Sequence, residues 1–591
     1  AQESRGLGDV YKRQHNTSTV VPEGSIAMGG IGCHTLALGD MGRARTVTQM
    51  GAEGATWAGL APFTDIKHMF VNMGDGTYQH SGLLAIRQAV AARTRVTYKI
   101  LYNSAVAMTG GQPVDGSPTV AQIAHQLAAE GVGRIAVVAD DPERLPPARA
   151  LPPGTERHSR EALDRVQRSF RDHDGVSAII YDQVCATEKR RKRKRGAMAV
   201  PAVSVVINER VCENCGDCTA QSNCVAVEPV ETTYGRKRRI SPSTCNTDLS
   251  CLKGFCPSFV TVGAARRPPQ PSARILEMEA EFGRSLPQPP PGALGDRPWR
   301  ALFAGVGGGG IVTTGAIVAM AAHLEGRAVR TLDFTGLAQK NGAVVGHVQV
   351  ARDEAALDVA RVPVRGADLL LAADMAVAAG RDVLPRVKRD AAVVGNGRLA
   401  AVAALVRDPD VALDSAGHRA AVEAAIPEGG ALWLDAARIA EALFGEAQAM
   451  NTILLGAAFQ RCRVPLREAS ILRAIELNGA AVEMNRRAFL WGRALGHDPK
   501  LAEALLATPQ APETLGALVA ARAAELVRYQ DDRLAQQYRA LVERAAAREA
   551  EVTGAPGAFA RAVAEGYFHV LAYKDEYEVC LLYTSPSPRD S

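Results

Sequence analysis

Between residues 212 and 256 the chain places seven cysteines, as Cys212-x2-Cys215-x2-Cys218-x5-Cys224 and then Cys245-x5-Cys251-x4-Cys256-Pro257. No other stretch restricts the fold so strongly, because thiolates three residues apart can converge on one metal centre. The remaining four of the eleven cysteines, Cys33, Cys185, Cys462 and Cys580, stand alone. A dense cluster in a large chain without a secretory signal points to metal in a reducing compartment, not to disulfides. The expectation is therefore a cytoplasmic protein. Zinc would favour two CxxC pairs and often His, yet no His lies between 212 and 256. A CxxCxxC run with a remote Cys-Pro is the bacterial iron–sulfur arrangement, in which the Cys before Pro serves the other motif's cluster. By that logic a first 4Fe–4S cluster takes Cys212, Cys215, Cys218 and Cys256. A second draws on Cys224, Cys245 and Cys251. Asp248 stands three residues after Cys245, so the second cluster is either a 3Fe–4S centre or a 4Fe–4S centre with Asp248 as its odd ligand.

At 591 residues, 47% hydrophobic and 22% charged, the chain is an ordinary globular one of several domains, and disordered, collagen-like and disulfide-scaffold classes are excluded. The formal net charge of +5 is smaller than one unbroken run of seven basic residues, Lys189–Arg195. The protein is thus near neutral with one basic patch.

Residues 15–187 alternate strand-like runs (His68–Met73, Val96–Tyr102, Arg134–Ala139, Ser177–Tyr181) with helical ones (Leu83–Ala92, Val120–Glu130). That rhythm predicts a mainly parallel sheet whose ligands bind beyond the carboxyl ends of its strands. A basic linker, 188–200, leads into the cysteine module at 201–264. A Pro-rich linker, 265–298, precedes a second α/β unit at 299–495, and 496–579 has helical spacing. Ala301–Leu324 is 24 residues without a formal charge, long enough to span a bilayer. Gly305 and Gly307–Gly310 break it into a strand, a turn and a helix starting near Ile311, so no membrane span is expected. Residues 1–14 and 580–591 have no apolar periodicity and look like adapter-derived sequence outside the native domains.

The segment Asn72-Met-Gly-Asp75-Gly76-Thr77 follows a strand and precedes a helix, and Asn103 ends the next strand, 28 residues after Asp75. A hard divalent cation takes oxygen ligands and usually shares them with a phosphate. Asp75, Asn103 and a nearby backbone carbonyl would hold it. Gly74 and Gly76 let the backbone come close, and the following helix start favours a diphosphate.

Through GDGTYQHSGLLAIR, YKILYN, AVAMTGGQPVDG, VCENCGDC, TGLAQKNGAV and LAYKDEYEV, essentially all of residues 15–579 resembles the 2-oxoacid:ferredoxin oxidoreductases, above all the long fused indolepyruvate ferredoxin oxidoreductases of bacteria. The resemblance implies an α/β multidomain chain: a thiamine diphosphate-binding parallel-sheet domain, a small ferredoxin-like α+β module, a second α/β (γ-type) domain and C-terminal helices. It makes Asp75, Asn103 and the carbonyl of Ala105 the Mg²⁺ ligands, and Gly74, Gly76 and Thr77 the lining of the diphosphate. Ser104 stands where the family has Asp. Gly30-Ile31-Gly32-Cys33-His34 and Gln49-Met50-Gly51 resemble two further loops over the cofactor, with His34 as a phosphate or substrate contact and Cys33 lacking the companion that binds a cluster in relatives.

A second glycine loop, Gly305–Gly310, superficially matches a dinucleotide fingerprint, but Asp333 lies 28 residues after Gly305, late for a ribose ligand. The run Thr335–Gly342 resembles the family's γ domain instead, where the loop faces the thiamine domain and Lys340 or the glycine loop is a candidate contact for coenzyme A. The basic run reads as a solvated linker or as a dock for an acidic ferredoxin; nucleic acid is not expected.

What the family resemblance implies for activity is oxidative decarboxylation of an aryl 2-oxoacid such as indolepyruvate, giving the aryl-acetyl-CoA, with electrons passing through the clusters to ferredoxin. A non-catalytic electron-transfer or scaffold portion and a non-oxidative thiamine-dependent decarboxylase remain alternatives. In the long relatives a pyrimidine-binding domain with the activating Glu precedes the region that corresponds to residue 15. The chain accordingly reads as a C-terminal part, expected to form a homodimer and to be inactive alone, and no catalytic residue is assigned within it.

Overall fold

Near-continuous apolar runs along the predicted strands demand a buried partner on both faces of the sheet, and the computed structural model of the protein supplies both. It describes residues 18–32, 34, 35, 38, 44–106, 112–185, 188, 189, 192, 193, 196–222, 224, 226–245, 247, 249–253, 256–263, 271–290, 294–307, 309–335, 342–399, 414–506 and 514–584. The expected terminal segment 1–14 lies outside them.

The first unit contains β1 (Ala27–Gly29), β2 (Thr46–Val47), β3 (Met69–Gly74), β4 (Val96–Tyr102), a small hairpin of β5 (Ala105–Val106) and β6 (Gln112–Pro113), then β7 (Arg134–Ala139), β8 (Glu156–Ser159) and β9 (Val176–Asp182). Seven of these form an all-parallel sheet in the order β2-β1-β3-β4-β9-β7-β8. Tyr98, Ile100, Val137, Ala178 and Ile180 enter one core, and Leu101, Val138, Ile179 and Tyr181 the other. Burial on both faces explains why these strands read as near-continuous apolar runs. Helix Val120–Ala129 starts on a reciprocal cap in which Thr119 and Gln122 satisfy each other's backbone N–H groups.

The cysteine module is built from two antiparallel pairs, β10 (Ser204–Ile207) with β13 (Phe259–Val262), and β11 (Val227–Thr232) with β12 (Gly235–Ile240). A six-stranded sheet follows: β14 (Trp299–Val306), β15 (Ala328–Thr335), β16 (Ala343–Ala351), β17 (Ala367–Ala372), β18 (Val387–Asn396) and β19 (Ala431–Leu434), in the order β15-β16-β14-β17-β18-β19. Ala301 and Phe303 point to one core, Leu302 and Ala304 to the other. The uncharged run from Ala301 to Leu324 is therefore β14, a glycine turn and helix Ile311–Leu324. Among the described residues no helix is long and apolar enough to cross a membrane.

Three boundaries differ from the sequence expectation. The Pro-rich stretch 265–298 contains a packed helix, Ala273–Ser285. Its prolines flank that segment without entering it, Ser272 caps it, and Glu279 accepts the indole N–H of Trp491 (2.7 Å) while pairing with Arg487 (2.9 Å). Helix Val482–His497 runs across the expected division at 495, and helix Glu576–Thr584 runs across the one at 579.

Helices Met450–Gln460 and Val482–His497 cross at their glycines. A Cβ on Gly492 would lie 2.1 Å from the carbonyl oxygen of Ile453, and one on Gly456 2.3 Å from that of Phe489. Backbone carbonyls cannot move aside cheaply, so overpacking here costs about 1–3 kcal/mol. Gly492→Ala is expected to lower the thermal midpoint of the chain, measured by calorimetry, whereas Gly516→Ala, where a Cβ meets open space, is expected not to.

Candidate functional site

Parallel strands β3 and β4 are neighbours, with Gly74 opposite Leu101, so the residues just beyond their carboxyl ends must meet. They do. The Asp75 carboxylate accepts the backbone N–H groups of Asn103 (2.8 Å) and Ser104 (2.7 Å) through one oxygen and that of Gly76 (2.9 Å) through the other. Asn103 Oδ1 accepts the N–H of Ala105 at 2.9 Å. Ser104 makes this turn at a φ of 56°, a left-handed conformation uncommon for a residue with a Cβ. Asp75, Asn103 and Ala105, the three expected cation ligands, thus form one knot. The MTGG segment at 108–111 is outside the described residues.

Burial pushes the Asp75 carboxyl up to about 6, against the three backbone N–H groups that pull it down. A buried carboxylate and an amide oxygen gathered in one knot are oxygen donors of the kind a hard divalent cation takes, whose charge would answer the desolvation.

The loop after β1 closes over this knot. Thr77 Oγ1 donates to the carbonyl of Ile31 at 3.3 Å. His34 is buried, and its Nε2 accepts the N–H of Gly30 at 3.1 Å, so that nitrogen is unprotonated. Burial lowers the ring to about 4. Its ring lies beside Gly74, close to where the expected phosphate or substrate contact would be, but as a neutral group. Cys33 is outside the described residues. Gly51 approaches Ser81 so closely that a Cβ there would lie 2.0 Å from the Ser81 oxygen, which joins the third expected loop to the turn Tyr78–Gly82.

Sequence reasoning missed Glu53. It is fully buried, accepts the N–H of Gly51 at 2.8 Å through Oε2, and presses Oε1 against Gly30, where a Cβ would sit 2.0 Å away. Among the described residues Oε1 has no hydrogen-bond partner, and burial raises this carboxyl above the usual range. The glycines on either side of it, Gly51 and Gly54, were the only signal in the sequence.

In the cysteine module, strand pairing does the gathering. Ile207 opposes Phe259, and the N–H of Asn208 bonds the carbonyl of Ser258 at 2.8 Å, so the turn bearing Cys212 and the turn bearing Cys256 share one end. Cys212 and Cys218 are buried. Burial first, then neighbouring Cys212, and after it Cys256 and Cys215, push the Cys218 thiol up to about 12, while Arg238 opposes them. The charges of Cys212, Cys215 and Cys256 thus all reach Cys218. Cys212 and Cys245 each accept an N–H at 3.4 Å from the residue two further on, Asn214 and Thr247, and both of those residues are left-handed. Cys224, Cys245 and Cys251 belong to the same small core; Asp248 lies outside the described residues. Among the described residues ten cysteines are free thiols. Among the described residues no three His, Cys, Asp or Glu side chains stand ready to hold one metal ion, so the thiols are gathered without being set in final ligand geometry. Crowded, desolvated thiols with N–H donors on their sulfurs nevertheless fit an iron–sulfur centre.

The glycine loop after β14 opens helix Ile311–Leu324, and Asn451 Nδ2 donates to the carbonyl of Gly309 at 2.5 Å. β14 and β15 are separated by β16, which is antiparallel to both. A dinucleotide fold would pair the strands before and after the helix directly. Lys340 is outside the described residues.

Three segments of the chain match known families. Residues 30–157 match the thiamine pyrophosphate enzyme C-terminal TPP-binding domain, residues 300–495 the pyruvate ferredoxin/flavodoxin oxidoreductase family, and residues 515–591 a family of unknown function. The indolepyruvate oxidoreductase subunit IorA of Thermococcus kodakarensis is 27% identical over 249 residues, 38% of this chain and 35% of that protein. Its counterpart from Archaeoglobus fulgidus is 29% identical over 231 residues, 39% of this chain and 34% of that protein. The chain thus spans about a third of the length of these relatives. A solved γ subunit of a keto/oxoacid ferredoxin oxidoreductase from Geobacter sulfurreducens aligns over 34% of this chain and 98% of that chain at 19% identity, with a TM-score of 0.24. The thiamine pyrophosphate and oxidoreductase domains in one chain fit a 2-oxoacid:ferredoxin oxidoreductase in partial or fused form.

If Asp75 ligates a cation as the sequence leads one to expect, Mg²⁺-dependent retention of thiamine diphosphate falls as pH drops through about 6, because only the ionised carboxylate binds. Asp75→Asn is expected to weaken retention at least tenfold at pH 8 and to flatten the pH dependence; calorimetric titration of wild type and variant between pH 5 and 8 reads both.

Proposed function

We propose that this chain takes part in the oxidative decarboxylation of a 2-oxoacid, of the aryl type such as indolepyruvate, with electrons leaving through iron–sulfur clusters to ferredoxin and the acyl group passing to coenzyme A. The observation that carries this reading is the co-occurrence in one chain of the Asp75–Asn103 knot at the ends of β3 and β4 and a module that gathers seven cysteines. Decarboxylation without oxidation would have no use for the second.

In this reading Asp75, Asn103 and the carbonyl of Ala105 hold Mg²⁺, and Gly74, Gly76 and Thr77 line the diphosphate. Thiamine diphosphate, when bound, supplies the electron sink for loss of CO₂. The chain's part is to fix and dry the site. The loop Gly30–Gly32 closes over the knot, and neutral His34 adds a polar wall without a competing charge. Cys212, Cys215, Cys218 and Cys256 hold the first cluster; Cys224, Cys245, Cys251 and Asp248 hold the second, as 4Fe–4S or 3Fe–4S. The glycine loop of the γ-type domain, with Lys340, is the candidate seat of coenzyme A, and the basic run Lys189–Arg195 the candidate dock for ferredoxin. Such a reaction belongs in the cytoplasm.

After anaerobic reconstitution with iron and sulfide, roughly seven or eight irons per chain are expected, as two clusters require, and about four would remove the second cluster from this reading. The activity itself is tested on an assembly containing this chain, by indolepyruvate-dependent reduction of ferredoxin. Loss of that reduction in Asp75→Ala, with iron content unchanged, is expected; an unaffected variant would sink the assignment of the knot.

A further inference from the structure

The helical unit at the C-terminal side, Leu515–Tyr529, Asp532–Thr553, Ala558–Leu571 and Glu576–Thr584, belongs to a family without a known function. It is fastened to the cysteine module at three places. At the tip of the β11–β12 hairpin, the buried Arg522 guanidinium lies 4.1 Å over the Tyr234 ring and 4.8 Å over that of Phe568, and it donates to the carbonyl of Thr233. Glu525 meets both Arg210 and the Tyr234 hydroxyl at 3.4 Å. The third contact reaches the thiols. Lys574, in the LAYKDEYEV run, pairs with Glu213, the residue after Cys212. Glu213 is in turn 3.8 Å from Nζ of Lys237, which is buried on β12.

A relay of alternating charge, Lys574–Glu213–Lys237, therefore stands against Cys212, and its outermost member comes from the helical unit. Iron–sulfur potentials respond to nearby charge, to hydrogen bonds on the sulfurs and to solvent access. Reduction adds negative charge to an already anionic cluster, so a nearby cation favours the reduced form and an uncompensated carboxylate opposes it.

We propose that the C-terminal helical unit acts as an electrostatic cover for the first iron–sulfur cluster, with Lys574 as a positioning residue that neutralises Glu213 beside Cys212 and so keeps the cluster reducible. The inference rests on the reading that Cys212, Cys215, Cys218 and Cys256 hold a cluster. It goes beyond that reading by giving the helical unit a task.

The test is a dithionite titration of the reconstituted full chain, followed by EPR, with iron counted in parallel. Lys574→Gln is expected to shift the first cluster to a more negative potential by several-fold in the one-electron equilibrium. Glu213→Gln is expected to shift it the other way, and Lys574→Arg, which keeps the charge, to stay at the wild-type value. Iron content should be equal in all four proteins. Equal iron with unchanged potentials in both glutamine variants would overturn the proposal alone. A reconstituted wild type that binds no iron would overturn it together with the reading beneath it.

Discussion

The carboxylate of Asp75 sits almost wholly out of water, and three backbone N–H groups from the ends of two adjacent strands hold it there. An unpaired buried charge is expensive, and the parallel sheet, which brings neighbouring strand ends to one edge, aims several main-chain donors at this point. Close packing also leaves no room for a side chain at Gly30, which faces Glu53, or at Gly51, which faces Ser81. The geometry of the first unit is best read outward from this one group.

The cysteine module meets the corresponding problem with different means. The Cys218 thiol is desolvated and crowded by its neighbours, which resists its ionisation. Counter-charges are provided locally: Arg238 opposes the other thiols at Cys218, and Lys237 sits behind Glu213. Both cations lie on β12, one strand of a hairpin that carries no cysteine. The two motifs supply sulfur, and the hairpin between them supplies the charge that makes sulfur tolerable there.

Much of this was legible in the sequence because it rests on spacing. Strands Val96–Tyr102 and Arg134–Ala139 occupy the residues that apolar runs marked out, and Asp75 meets Asn103 because a helix and β4 return the chain from the end of β3 to the end of its neighbour. What escaped has no local signature. Glu53 matters only because a glycine 23 residues earlier leaves space for it, and Lys574 is 361 residues from Glu213. The helix Ala273–Ser285 was hidden for another reason: prolines dominate its flanks, and composition averaged over the stretch conceals a segment that has none.

The contacts that hold the cysteine module also explain why it is not merely tethered. On one side Arg239 bridges Glu228 and Glu441 at 2.7 and 3.3 Å, and Ser243 takes up the other Glu441 oxygen at 3.0 Å while accepting the N–H of Ala447 at 2.8 Å. On the other, Arg522 is stacked between aromatic rings. Partly buried ion pairs add little net stability, since desolvation offsets most of their attraction. Their directional hydrogen bonds do penalise displacement, because any slide leaves Glu441 or Arg522 without its partners in a place water reaches poorly. A centre that passes electrons gains more from a fixed position than from a tighter fold. In the proposed reading, the same residues that contribute little to stability hold the module in a fixed orientation for electron transfer.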